Sequence, residues 1–215
     1  MSIVADTLLE ALNWRYATKA FDPDRKIPAD TWEALQQSLV LTPSSYGLQP
    51  WKVIQVESPE LRSQLLPNSY NQKQVVDASH LIVFAARTEL SESDVDRLIE
   101  LTSSTRNVPA DKLAGYRNMM VGDLVQGPRS AIINYWAANQ AYIVLGNFLT
   151  AAALLGIDTC ALEGIIPSAY DELLNLKGTG YQTVVAAVAG YRSAADPYAG
   201  LAKVRYPAAE LIETR

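Results

Sequence analysis

Two pairs of cations stand apart in a chain of 215 residues whose formal net charge is −5. Arg15 and Lys19 bound the run "RYATK", and Lys203 and Arg205 flank Val204. Residues two apart on an extended segment leave the same face, so the second pair presents its charges together. Either pair alone would suit a solvated surface. Jointly, the four can converge on one multiply charged oxyanion, with arginine offering a forked contact and lysine a point charge. Gly164 in "ALEGI" would let a backbone N–H approach a flat ligand where a side chain would clash; a plain turn asks for the same residue. Tyr16, Tyr46, Trp51 and Trp136 could line a stacking site, although aromatics at such spacing more commonly fill a core.

Much familiar enzyme chemistry has no seat here. The single histidine, His80, lies at the mouth of an expected strand and reads as a locally bonded strand-entry residue. No serine sits in G-x-S-x-G, so a nucleophile–histidine pair lacks its usual frame. Cysteine, histidine and acids are not spaced as metal ligands. No phosphate-binding glycine motif follows a strand, and "GTG" at 178–180 is a turn. If the chain is an enzyme, its reactive atoms belong to a bound cofactor. The acidic balance speaks against general nucleic-acid binding.

The elements that must position these residues are legible from periodicity. Val4, Leu8, Ala11 and Leu12 share a helical face that ends near Trp14; Pro28 opens a second helix with Trp32, Leu35, Leu39 and Val40 as its stripe, and Pro43 stops it. Between that helix and the strand "KVIQVE" (52–57) lies "TPSSYGLQPW", longer and less charged than an ordinary connection. Ser58-Pro59-Glu60 is a helix start. The runs 80–87 and 183–191 are near-continuously apolar, as strands covered on both faces are. Helical patterns fill 91–104, 109–126 and 130–155, with Gly156 ending the last, and 171–176 continues a short helix. Residues 196–215 read as an extended arm. The expectation is one α+β domain, helices around three or four strands. The long helix is apolar almost all round and needs cover on several sides, which a partner subunit could supply. Its most apolar part, Ala141–Ile157, carries Asn147 and Thr150 and lacks flanking cations, so it reads as buried rather than membrane-spanning. The opening "MSIVADTLLEAL" lacks the regions of a signal peptide, and the one cysteine, Cys160, cannot pair internally; the expected location is cytoplasmic.

Six stretches in order, "RYATKAFD" (15–22), "PSSYGLQPWKVIQV" (43–56), "VVDASHLIVFAAR" (75–87), "LGNFLTAAALLGID" (145–158), "LEG" (162–164) and "LAKVRYP" (201–207), resemble the oxygen-insensitive FMN-dependent NAD(P)H nitroreductase family, close to its enteric bacterial members. The resemblance implies a homodimer with a small mixed sheet, two FMN sites at the subunit interface, and a C-terminal arm exchanged between subunits. It implies that Arg15, Lys203 and Arg205 hold the FMN phosphate and that Lys19 reaches the N1–O2 edge of the ring. Tyr16, Ala17 and Thr18 would line the same loop, Asn71 would meet the pyrimidine edge, and the N–H groups of Glu163 and Gly164 would face N5 and O4. Pro43, Ser44, Ser45 and Gly47 would come from the other subunit as the floor of the ring.

This chain departs from the family at Gln74, where many relatives carry lysine and where glutamine would still donate a hydrogen bond to flavin O2 without a charge, at Gly47, where asparagine is usual, and at Tyr16, where some have histidine. Segment 105–125, with Tyr116, Met119 and Met120, falls where the family shapes its substrate pocket. The implied reaction passes a hydride from NADH or NADPH through FMN to a flat electron-poor acceptor, a nitroaromatic or quinone, by a ping-pong cycle with no catalytic side chain. The alternatives are a dihydropteridine, enone or free-flavin reductase on the same fold, and a non-catalytic flavin-binding protein.

Overall fold

The computed structural model describes residues 4–215; Met1–Ile3, which head the stretch read above for a leader, lie outside them. Helix α1 (Ala5–Trp14) precedes α2 (Ala29–Val40), and the loop that follows leads into β1 (Trp51–Val56). Then come α3 (Pro59–Leu65), α4 (Gln74–Asp77), β2 (His80–Arg87), α5 (Glu92–Arg106), α6 (Ala114–Met120) and the long α7 (Ile133–Leu154). Strand β3 (Asp158–Leu162), α8 (Pro167–Leu173), β4 (Tyr181–Gly190) and α9 (Ala208–Leu211) complete the chain.

The strands lie in the order β1-β2-β4-β3. In place of the mixed sheet that the resemblance implied, all three strand pairings within this chain are antiparallel, with one parallel bridge, Ala17 to Thr159, outside the named strands. Strands β2 and β4 are central, and their side chains alternate between two cores. Ile82, Phe84, Val185 and Ala187 pack beneath α2 and α7 with Leu35, Val144 and Phe148. Leu81, Val83, Ala186 and Val188 pack on the other face with Leu65 of α3 and Tyr170 of α8. Burial on both faces is why the middles of those strands are almost wholly apolar.

Local signals set the boundaries. Ser58 caps α3 by accepting from the N–H of Leu61, with Pro59 in the first turn. Gly156, at φ +68°, turns the chain after α7 in a conformation costly to other residues. Pro28 is the residue before α2 rather than its first, and Val40 stands 56% exposed at the margin of the stripe. The 109–126 pattern is not one helix. It divides into a 3₁₀ turn, α6, and a π-helical turn at Val121–Val125. No expectation covered β3 or α4. The amphipathic α1 buries none of its residues, so its apolar face has no complete cover within the chain.

Candidate functional site

The outer edge of β3 is where the cations meet. Residues 17–19 run alongside it: Ala17 bridges Thr159, and the N–H of Thr18 donates to the Thr159 carbonyl at 3.2 Å. Thr18 is fully buried, and its hydroxyl donates to Asp158 at 3.4 Å. Asp158, also buried, accepts from the Arg192 side chain at 2.7 Å and the Arg192 N–H at 2.8 Å. The Arg192 guanidinium in turn lies over the rings of Trp14, at 4.3 Å, and Tyr16, at 4.7 Å. The turn holding Arg15 to Lys19 is thus fixed against the sheet from both sides.

The C-terminal segment closes on that turn. Lys203 Nζ donates to the carbonyl of Leu12 at 2.8 Å and to that of Arg15. Arg15 sits below its ordinary pKa, chiefly from burial and next from the charge of Arg205, with the Cys160 sulfur acting the other way. Lys203 is lowered by burial first, then by Arg15 and Arg205. These effects record three cations close enough to repel. Arg15 Nε is buried with no protein partner, and so is the neighbouring Thr159 hydroxyl. Lys19 Nζ lies 4.0 Å from Cys160 Sγ on β3. Burial pushes the Cys160 thiol up, against the pull of Lys19 and Arg15. The four expected cations therefore share one neighbourhood.

Past β3, Glu163 and Gly164 meet the loop before α4. Gln72 Nε2 donates to the Gly164 carbonyl at 2.8 Å. A Cβ at 164 would lie 3.0 Å from that same nitrogen and 3.4 Å from the Tyr70 ring, so any larger residue would press on the end of the Gln72 side chain and make it shift. Asn71 follows Tyr70, both at positive φ, which aims this loop toward Gly164. Glu163 accepts a 2.5 Å bond from the Tyr142 hydroxyl, whose pKa is pushed up to about 12 by burial and by that carboxylate. Gln74 is 5% exposed, buried on α4.

Pro43, Ser44, Ser45 and Gly47 are elsewhere. Ser45 N–H donates to Gln140 of α7 at 2.8 Å, Ser44 Oγ accepts from Gln49 N–H at 2.9 Å, and Tyr46 donates to Asp123 at 2.8 Å. This loop enters β1 at Trp51, which pairs with Ala86, itself opposite Gln182, whereas Asp158 lies opposite Gly190. Eight residues of β4 separate those ends, or ~26 Å at a strand's rise per residue. Within one chain, the loop and the cations do not face one ligand.

Sequence reasoning missed Asp158, Arg192, Asp196, Gln72 and Tyr142. Only Asp196 carried a local signal, the turn-forming pair Asp196-Pro197.

The Nitroreductase family profile matches residues 12–191, which take in the Arg15–Lys19 turn, the serine loop and all four strands. The chain belongs to the nitroreductase family. It is 30% identical over 200 residues to the oxygen-insensitive NAD(P)H nitroreductase of Salmonella typhimurium, covering 90% of this chain and 92% of that one. Its fold is similar to that of a nitroreductase-like protein from Streptococcus mutans, with TM-score 0.84 at 20% identity over 99% of this chain and 100% of the other. It is similar also to an Exiguobacterium sibiricum protein crystallised in complex with FMN, with TM-score 0.80 at 19% identity and full coverage of both. A nitroreductase-family chain with three clustered cations beside the edge of β3 is suited to a ligand that ends in a multiply charged oxyanion.

Proposed function

We propose that this NAD(P)H-dependent oxidoreductase of the nitroreductase family works as an FMN-carrying homodimer that reduces flat, electron-poor acceptors such as nitroaromatics and quinones by a ping-pong cycle. One observation carries the reading: Arg15, Lys203 and Arg205 converge while Arg15 Nε is buried without a partner. Mutual repulsion of that kind is relieved by a terminal phosphate, and the backbone N–H groups of Glu163 and Gly164, just past β3, suit the edge of a flat ring. The residues present fit FMN on both counts.

Bound FMN would supply a ring that takes up two electrons from a reduced nicotinamide and returns them to an acceptor. Arg15, Lys203 and Arg205 would bind its phosphate. Lys19, level with Cys160, would place a fixed positive charge where negative charge develops. The N–H groups of Glu163 and Gly164 would orient the ring, held at their distance by the Gln72 bond to the Gly164 carbonyl. Gln74, neutral and buried, adds no charge, so Lys19 carries that task with little help.

Two copies complete the site in this reading. The serine loop, ~26 Å along the sheet from the cations, would serve the partner's ring. The surface of one chain is 12391 Å², where a compact monomer of 23.5 kDa exposes ~9,800 Å². Uncovered apolar residues on α1 (Leu8, Leu9, Leu12) and α7 (Tyr135, Ile143) support the same conclusion. So does the arm, where Val204, Tyr206 and Ile212 are exposed and suited to lie along the unpaired outer edge of β1 on a second copy. No helix among the described residues is long and apolar enough to cross a membrane; a cytoplasmic location is part of the proposal.

The test is direct. Purified protein should be yellow and release FMN on heating, and NADH or NADPH should bleach it before any acceptor is added. Double-reciprocal plots against a nitroaromatic or quinone should be parallel. Released FAD would overturn the phosphate assignment, intersecting lines the ping-pong cycle.

A further inference from the structure

Asp196 is a carboxylate with 6% exposure at the start of the arm. One of its oxygens accepts from the N–H of Lys19 at 2.7 Å and from that of Ala20 at 2.8 Å; the other accepts from the N–H of Tyr198 at 2.8 Å. No cation pairs with it among the described ion pairs. Burial alone would favour its neutral form, yet the three N–H bonds outweigh burial and hold its pKa below the usual carboxylate range. The contact is thus made by the charged form.

Its position in the chain gives that contact its meaning. On one side lies the turn that bears Arg15 and Lys19, and on the other the arm that bears Lys203 and Arg205. Up to Ser193 the two segments are joined by backbone pairing: Asp22 N–H to the Tyr191 carbonyl at 2.9 Å, and Ser193 N–H to the Ala20 carbonyl at 2.9 Å. Beyond Ser193 the ladder stops, and the arm turns away through Pro197. Asp196 is the buried link across that departure. We infer that Asp196 is a positioning residue for the cofactor phosphate: its carboxylate locks the arm to the Lys19 turn, so that Lys203 and Arg205 meet Arg15 at one point. This rests on the FMN reading above.

Because Asp196 acts through the arm, its loss should fall on the phosphate and spare the ring. The comparison of FMN with riboflavin, which lacks the phosphate, reads that difference. Flavin-free protein would be titrated with each, following flavin fluorescence, for the wild type, Asp196→Asn and Asp196→Ala. Asparagine keeps the shape and one acceptor; alanine removes both. The ratio of FMN to riboflavin affinity should fall about tenfold or more in Asp196→Ala, as expected for losing charged hydrogen bonds that fix the arm, and by an intermediate factor in Asp196→Asn. Riboflavin affinity itself should change less than about threefold. A merely destabilised fold would weaken both flavins together and leave the ratio alone. A ratio within about twofold of wild type in both variants would overturn the inference; failure of the wild type to prefer FMN would instead overturn the FMN reading. If neither variant folds, hydrogen exchange on the wild type decides. The amides of Lys19, Ala20 and Tyr198 should slow together when FMN is added, and independent behaviour of Tyr198 would refute the link.

Discussion

Removing Arg205 should move stability and binding in opposite directions. Its guanidinium donates to the carbonyl of its own neighbour Val204 at 2.6 Å, so Arg205→Ala breaks no long-range contact of the fold. What it does remove is a charge that disfavours the protonated forms of both Arg15 and Lys203. For partly exposed charges such repulsion is worth roughly 0.2–1 kcal/mol, or up to ~4 °C in Tm for a chain of this size. Flavin-free Arg205→Ala should therefore melt at the wild-type temperature or slightly above it. With FMN the order should reverse. A charged hydrogen bond to phosphate contributes about 1.5–3 kcal/mol, which is roughly 10- to 150-fold in affinity. At FMN a hundredfold above its wild-type Kd, the wild type gains ~2.7 kcal/mol and the variant only ~0.3–1.4 kcal/mol. Paired thermal melts of stripped protein, with and without that FMN concentration, read both effects. A flavin-free variant melting well below wild type, or one stabilised by FMN as much as wild type, would refute the claim that these cations repel until a phosphate joins them.

Arg192→Ala should leave Asp158, 4% exposed, without its cation and cost ~3–5 kcal/mol; chemical denaturation should show most of that loss restored in Arg192→Lys. Gly164→Ala puts a Cβ 3.0 Å from Gln72 Nε2, so that side-chain end must shift and its bond to the Gly164 carbonyl should weaken. FMN affinity should then drop by roughly 2- to 10-fold, the worth of one neutral hydrogen bond, by fluorescence titration. His80, stacked on Trp32 at 3.8 Å, has its pKa lowered to about 4 by burial first, then by Arg62 and Lys26. Its folded pKa lies below its unfolded one, so the unfolded chain gains a proton first as pH falls from about 6.5 to about 4, and stability drops across that window. Urea melts at pH 7 and pH 4.5 should show a smaller drop in His80→Gln; an equal drop would mean that His80 is not held neutral.

What the sequence made legible was whatever is written locally. Strands β2 and β4 announce themselves because burial on two faces selects a near-continuous apolar run, and α3 because Ser58-Pro59-Glu60 is a helix start. Phosphate-suited residue types were visible too, and Arg15, Lys203 and Arg205 do meet. Strand β3 was not legible. It is five residues long and begins with an aspartate, tolerable in the interior only because Arg192, more than thirty residues on, neutralises it. Asp196 was readable as a turn former but not as an anchor, since its donors Lys19 and Ala20 lie at the other end of the chain. The composition of the serine loop marked it only as longer and less charged than an ordinary connection; its proposed role under a ring came from the family resemblance. In the proposed dimer, which copy it serves depends on strand register, and no short stretch encodes that. Helix α1 shows the converse case: its apolar face was plain in the sequence, yet the chain itself buries none of its residues.

The distance between the serine loop and the cation cluster has a genetic consequence. In the proposed dimer, each site takes its phosphate grip from one chain and its ring floor from the other. Consider a chain damaged only at Ser44 and Ser45, and another damaged only at Arg15 and Arg205. Each makes a homodimer with two defective sites. When the two are co-expressed, the mixed dimer sorts both lesions into one site and leaves the other site wholly wild type. Two inactive alleles would then complement each other, with recovery approaching one working site per mixed dimer.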